Sequence, residues 1–416
     1  MIDFETLYSW VRDLPIIDWH NHLDMKMLAE DKPLGSLYEV WVKTDPYKHR
    51  AMRICGEPER VITGDATEDE KWAAWMRTLP KLVGNPLFAW ARQELAFLRG
   101  MGNGEWGTGW PHTSAAAKWW EGVKNVSLAD WTPSKILTKF NVEYISPCVG
   151  ANDEIATKNT RGTKIVPSFR MNVDDEISTE TLERFSAAGC RIVDISVDDI
   201  SSLCSLCPLW LKTVPPFAAT HGWTMLLHLG ALRETSARLR AAAGPAGGFA
   251  GMRAPADPAA VAEFLNMLET GRAASMMPPS AVSSKPPYQN SLPRTILLSL
   301  NPEAHAQLAV LAGSFVEAGV PGKVQLGPAW WWCDHEEGIR DVLEKNAAYG
   351  VLSTFVGMTT DSRSLLSFVR HDYFRRILCK WVAEKVASGA FPDDESLLRP
   401  MLENICYKNA HDMVFS

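Results

Sequence analysis

Short apolar and β-branched runs, each ending on a polar or charged residue, recur along the chain with helix-like stretches between them. They are Ile16–Trp19, Val142–Ile145, Lys164–Pro167, Arg191–Ile195, Met225–Leu227, Thr295–Leu298, Val324–Leu326 and Leu352–Val356. Runs apolar on both faces suit parallel strands covered by helices. Eight such units predict an α/β fold, a (β/α)8 TIM barrel whose site is built from the polar residues just past each strand. No G-x-G-x-x-G follows a strand, so no doubly wound phosphate fingerprint competes.

About 120 residues separate the first two runs, far more than a crossover needs. Within them SLYEVWVKTDPYKHRAMR, DEKWAAWMRTLPKLVGNPLFAWARQELAFLRG and AAAKWWEGVKNVSLADW carry apolar residues at helical spacing. The expected organisation is therefore 1–35 as an N-terminal segment with the first strand, 36–140 as an inserted helical subdomain, and 141–416 as the rest of the barrel. A stretch rich in Ala, Gly, Pro and Ser over about 241–290 predicts a flexible loop around one helix, a rim of the mouth or a plain surface loop.

Composition narrows the classes. With 46% hydrophobic and 22% charged residues the chain can build a large core, which excludes disorder. The 42 basic against 49 acidic residues leave a net charge of −7 and no basic footprint, so nucleic acid is not an expected partner. Seventeen Trp beside eight Tyr point to core packing or a ring-lined cavity, and leave a homo-oligomer open. The eight Cys are scattered, and the close pair Cys204–Cys207 lacks the two further ligands of a zinc knuckle. They read as structural thiols in a reducing compartment. The start MIDFETLYSW shows no basic-then-apolar leader, and no run approaches the roughly 18 apolar residues of a membrane span. A soluble, cytoplasmic protein with no membrane partner is expected.

The most informative local motif is Asp18-Trp19-His20-Asn21-His22. Imidazoles at i and i+2 on the end of a strand project to one face and can converge on one cation. His228 ends the fifth run and Asp361 follows the eighth. Two imidazoles and a carboxylate suit Zn²⁺ or a similar divalent metal and leave a position for a substrate oxygen. Taken singly, His228 fits a core or mouth histidine and Asp361 a helix N-cap.

In combination these residues resemble the amidohydrolase superfamily, whose barrels carry H-x-H after the first strand and Asp after the eighth. The resemblance narrows along the whole chain. LPIIDWHNHL, DPYKHRAMR, ATEDEKWAAW, NPLFAW, HLGALRETSAR, LPRTILLSLNP, GKVQLGPAWWWCDHEEGI, FVGMTTDSRSLLSFVRHDYFRRILCKWV, FPDDESLL and ICYKNA resemble, in order, the blocks of the uronate isomerase family. The resemblance implies an aldose–ketose isomerase that interconverts D-glucuronate with D-fructuronate and D-galacturonate with D-tagaturonate. It implies one divalent metal on His20, His22 and Asp361, with Zn²⁺ the first choice although manganese, iron and cobalt take the same ligands.

Moving a carbonyl from C1 to C2 requires removing the C2 proton, holding a cis-enediol and returning a proton to C1. Asp361 is the expected base, and Tyr47 matches a family tyrosine placed to relay a proton. Arg170 offers a planar fork for the sugar's carboxylate, and Arg233 and Arg363 are the other mouth guanidiniums. At least one of the three is expected to be a structural ion pair. Trp330 matches a pocket tryptophan, with Trp331 and Trp332 assigned to core. His228 and Asp194 complete the substrate-binding set. The chain departs from the family at Pro46, where a histidine is usual, at Ser146–Gly150 after the second strand, after Asp194, and at Glu234–Arg238. Changed pocket walls keep a second class open: a hydrolase or lyase of the same superfamily acting on another carboxylated or sugar-acid substrate.

Overall fold

The computed structural model describes residues 1–98, 128–155, 158–160, 162–200, 209–245, 247–271 and 292–415. Parallel strands run in sequence order around a curled sheet: β1 (Ile16–Asn21), β2 (Val142–Gly150), β3 (Ser168–Asn172), β4 (Ile192–Val197), β5 (Thr224–Leu229), β6 (Arg294–Ser299) and β7 (Val324–Leu326). Each pairs with the next in parallel register. Helices cover the outer face, so the architecture is the expected TIM-type α/β barrel.

Two of the eight expected strands differ. The run Lys164–Pro167 is broken: Thr163–Ile165 pairs with the first half of β2 and, antiparallel, with Lys158–Thr160. Pro167 has no N–H to give to a ladder, and the barrel strand resumes at Ser168. The run Leu352–Val356 forms no strand; Leu352–Thr354 is a 3-10 turn followed by extended chain. Side chains close the seam instead. Gln325 Oε1 accepts from Val356 N at 2.9 Å, and Asp18 Oδ1 accepts from Thr360 N at 2.7 Å. Two backbone bonds finish the closure, Asp361 N to His20 O at 3.1 Å and His22 N to Ser362 O at 2.8 Å.

Period-two alternation decides what faces the barrel interior. Tyr144, Ile192, Leu226, Ile296 and Leu298 form its floor, whereas Phe169, Val193, Ile195, Met225 and Leu227 pack outward under the helices. Counting in twos along the same strands puts Cys148, Arg170, Asp194, Ser196 and His228 inside, above that floor. β1 is irregular, with register shifts against β2 between Ile16 and Ile17 and between Asp18 and Asn21.

Between β1 and β2 the described residues are helical, including Pro46–Ile54, Glu68–Thr78 and Pro86–Leu98. Trp41, Trp75 and Trp90 are buried there in a cluster that continues into Leu365, Leu366 and Phe368. In the Ala/Gly-rich stretch, Pro258–Glu269 is a helix and Gly251–Met252 pairs with Ala231–Leu232. Its described part is tied to the helix Pro46–Ile54: Arg53 donates to Gly247 O, and Arg50 Nη1 to Ala250 O at 3.3 Å. Gly248 has φ +83°, and a Cβ there would strike the Pro46 carbonyl, so only glycine fits. Cys204 and Cys207 lie outside the described residues. No described helix is long and apolar enough to cross a membrane.

Candidate active site

The end of β1 and the seam segment bring His20, His22 and Asp361 together. Asp361 Oδ1 lies 3.2 Å from His20 Nε2 and 3.1 Å from His22 Nε2. Burial raises the Asp361 carboxyl, but the two imidazoles outweigh it and hold the group well below the usual carboxylate range. For His20, burial opposes the charged ring, and Cys148 and Asp361 beside it prevail, pushing it well above the ordinary imidazole value. His22 goes the other way: burial lowers it to about 4, and Asp361 does not offset that.

Asp361 has φ +48°, a left-handed conformation unusual for a side chain with a Cβ. The surrounding bonds impose it. Asp18 is fully buried and accepts from Thr359 Oγ1 (2.8 Å), Thr360 N (2.7 Å), Thr360 Oγ1 (2.8 Å) and Asn21 Nδ2 (3.0 Å), with His371 Nε2 at 3.2 Å. Burial raises its carboxyl, but His371 and the Thr360 bonds bring the net shift below the ordinary value. Asp18 thus ties β1 to the turn that presents Asp361.

The strand ends β2 to β5 supply a second cluster. Cys148 Sγ sits 3.3 Å from His20 Nδ1 and 3.4 Å from Asp194 Oδ2. Asp194 Oδ2 also accepts from Arg170 Nη1 at 2.8 Å, and Asp194 Oδ1 lies 2.7 Å from His228 Nδ1. The His228 ring is 4.9 Å from that of His20 and 4.5 Å from that of Trp330, centroid to centroid. Ser196 Oγ accepts from Arg170 Nη2 at 3.0 Å and from Arg233 Nη2 at 3.1 Å, while Arg233 Nε pairs with Asp198 at 3.1 Å. Arg170 and Arg233 are therefore both ion-paired. Arg363 lines the same cavity, and no partner of its guanidinium is seen among the described residues.

Tyr47 enters from the inserted helices. Asp45 caps that helix by accepting from Tyr47 N (2.9 Å) and Lys48 N (3.2 Å), and Pro46 occupies the first turn, where its missing N–H costs nothing. The Tyr47 ring packs edge-on against Trp90 and Trp332, with the Arg370 guanidinium 5.2 Å from its centroid. Its hydroxyl is buried without a hydrogen-bond partner. Burial raises it well above the usual phenol value.

These groups face one cavity of about 960 Å³. Nine of the ten residues singled out from the sequence line it: His20, His22, Tyr47, Arg170, His228, Arg233, Trp330, Asp361 and Arg363. Asp194 lies beneath it, fully buried, beside Arg170 and His228. Trp331, assigned to core, is partly buried against the barrel's inner cluster and also lines the cavity, with the Arg233 guanidinium 5.6 Å from its ring. Cys148, Ser196 and Asp18 were not singled out. Counting in twos from Tyr144 and Ile192 would have found the first two. For Asp18 the one signal was its place at the head of the D-x-H-x-H motif.

A family model for glucuronate isomerase matches residues 3–206 and 194–414. A uronate isomerase from Caldicellulosiruptor bescii is 32% identical over 469 residues, covering 98% of this chain and 96% of that protein. The chain belongs to the uronate isomerase family. A second uronate isomerase, from Geobacillus thermodenitrificans, is 32% identical over 98% of this chain and 95% of its own. Among solved structures, the uronate isomerase of Thermotoga maritima superposes with a TM-score of 0.81 at 24% identity, covering 99% of this chain and 97% of that one. The glucuronate isomerase of Caulobacter crescentus gives 0.77 at 19%, covering 99% and 93%. This uronate isomerase therefore shares its barrel with those enzymes, with Asp361, the two imidazoles and Tyr47 gathered at the mouth.

Proposed function

We propose that the enzyme interconverts D-glucuronate with D-fructuronate, and D-galacturonate with D-tagaturonate, through a cis-enediol, with a divalent ion held by His20, His22 and Asp361. The observation that carries this reading is the meeting of both imidazole Nε2 atoms on one carboxylate oxygen at 3.1–3.2 Å inside the cavity. Two ring nitrogens and an anionic oxygen converging on one point form a donor set that fits a divalent cation such as Zn²⁺. When bound, such an ion would polarise the sugar's carbonyl and favour negative charge on its oxygens.

The chain's own residues supply the rest. Asp361, kept ionised by its surroundings, takes the proton from C2 and returns one to C1. The Tyr47 hydroxyl has no protein partner to give up, so it is free to donate to a sugar oxygen as charge develops there. Arg170 and Arg233, joined through Ser196, gather positive charge on one wall, where the sugar's carboxylate fits, and Arg363 adds an unpaired guanidinium beside Asp361. Trp330 packs against the ring, and His228, turned by Asp194, faces the hydroxyls.

Incubation with D-glucuronate in D₂O tests this directly. Deuterium at C2 of recovered substrate or at C1 of product is expected. Turnover to a product other than the ketose, with no exchange into either position, would overturn the enediol and favour a hydrolase or lyase acting through water.

A further inference from the structure

Cys148 belongs to no part of the chemistry above, yet it touches two of its groups. Its Sγ is 3.3 Å from His20 Nδ1 and 3.4 Å from Asp194 Oδ2, and Ser168 Oγ donates to it at 3.4 Å. The other ring nitrogen of His20 faces Asp361. A thiol has one hydrogen to give, and Asp194 Oδ2 is an ionised acceptor that cannot return one. With the S–H committed to Asp194, the sulfur faces His20 as an acceptor, so the ring keeps a hydrogen on Nδ1 and the hydrogen on Nε2 is the one given up when a cation binds there.

We propose that Cys148 is a positioning residue: it holds His20 as the Nδ1–H tautomer, leaving Nε2 free for the cation, and couples that ring to the Asp194–Arg170 pair. The inference rests on the reading of His20, His22 and Asp361 as a metal site. Partners of this kind on the far side of a ligating imidazole fix its orientation and its basicity. The position explains why a cysteine can serve. β2 delivers residue 148 to the interior beside β1, and sulfur reaches both neighbours across distances a little longer than oxygen prefers.

Divalent-ion affinity decides it, measured with Zn²⁺ against a chromophoric competitor on the full chain and on its Cys148→Ala and Cys148→Ser forms, alongside thermal melting. Cys148→Ala is expected to bind Zn²⁺ about 10–100-fold more weakly. Its melting temperature in the metal-free state should be little changed, and Cys148→Ser, which can both donate and accept but on a shorter bond, should recover only part of the affinity. Zinc-edge X-ray absorption on the loaded wild type should show nitrogen and oxygen neighbours only. Equal affinity of the alanine and wild-type forms would overturn the proposal, as would a sulfur neighbour at about 2.3 Å, which makes Cys148 a direct ligand. If the wild type takes up no ion at all, the metal reading itself falls and this inference with it. Uptake by the wild type with no loss in Cys148→Ala sinks this inference alone.

Discussion

Asp18 and Thr360 are 342 positions apart in the chain and joined by two hydrogen bonds: Thr360 N gives to Asp18 Oδ1 at 2.7 Å and Thr360 Oγ1 to Oδ2 at 2.8 Å. This contact stands where a regular eighth strand would have paired with β1. It also fixes the backbone one residue before Asp361, whose left-handed conformation needs such support. Asp18→Ala would leave Thr360 and His371 without their buried acceptor, while Thr359 Oγ1 keeps His20 O. A loss of about 3–5 kcal/mol in unfolding free energy is expected from breaking a buried charged network. Denaturant titration measures it, and turnover should fall more steeply than stability, because Asp361 loses its placement.

The catalytic constellation was legible to unequal degrees, for physical reasons. His20 and His22 announce themselves because strand geometry turns i and i+2 to one side, and Arg170, Asp194 and His228 sit where apolar runs end. Asp361 was placed by its position after the eighth apolar run and by resemblance. Its local sequence predicts a strand before it, and the structure has a 3-10 turn and extended chain instead, because Gln325 and Asp18 supply acceptors that a ladder would have provided. Counting in twos from Tyr144 would have put Cys148 inside the barrel, but its meeting with His20 depends on the register shifts of β1 against β2, which no periodicity in either strand reveals. Trp331 was half legible: it packs against the core as expected and also reaches the cavity.

Tyr47→Phe separates chemistry from packing. The ring keeps its edge-on contacts with Trp90 and Trp332, and the lost hydroxyl had no partner in the protein, so thermal stability should be unchanged or slightly higher. If the hydroxyl donates to the sugar as charge develops, kcat should drop about 10²–10⁴-fold with KM nearly constant. Steady-state kinetics on D-glucuronate reads both numbers. A fall in affinity with kcat intact would make Tyr47 a binding group only.

Asp361→Asn preserves size but removes the charge that both imidazoles face. Isomerisation and exchange of the C2 proton with solvent should both fall by about 10³-fold or more. Zn²⁺ uptake should weaken in parallel, since the site loses its only anionic oxygen of the three. Treatment of the wild type with a chelator is expected to abolish turnover and adding back a divalent ion to restore it. Assayed together, the two experiments separate a base from a ligand: exchange restored to Asp361→Asn by excess metal would mean that Asp361 holds the ion without moving the proton.

Acid should destabilise the protein through a histidine that does not line the cavity. His49 lies in the inserted helices, 7% exposed, with its Nε2 buried and unpartnered. Burial lowers its pKa from the ordinary imidazole value near 6.5 to about 4, against the opposing pull of Asp45. Between those two values the unfolded chain binds a proton that the folded chain refuses. Stability from this residue is thus fully present above pH about 6.5 and declines as the pH falls toward 4, by up to roughly 3 kcal/mol at the bottom of that window. A His49→Phe form, apolar and of similar shape, carries no such linkage. Urea midpoints at pH 7 and pH 5 should therefore diverge less for the variant than for the wild type. Parallel declines in the two proteins would place the acid sensitivity elsewhere, in buried groups such as His22, whose value burial also lowers to about 4.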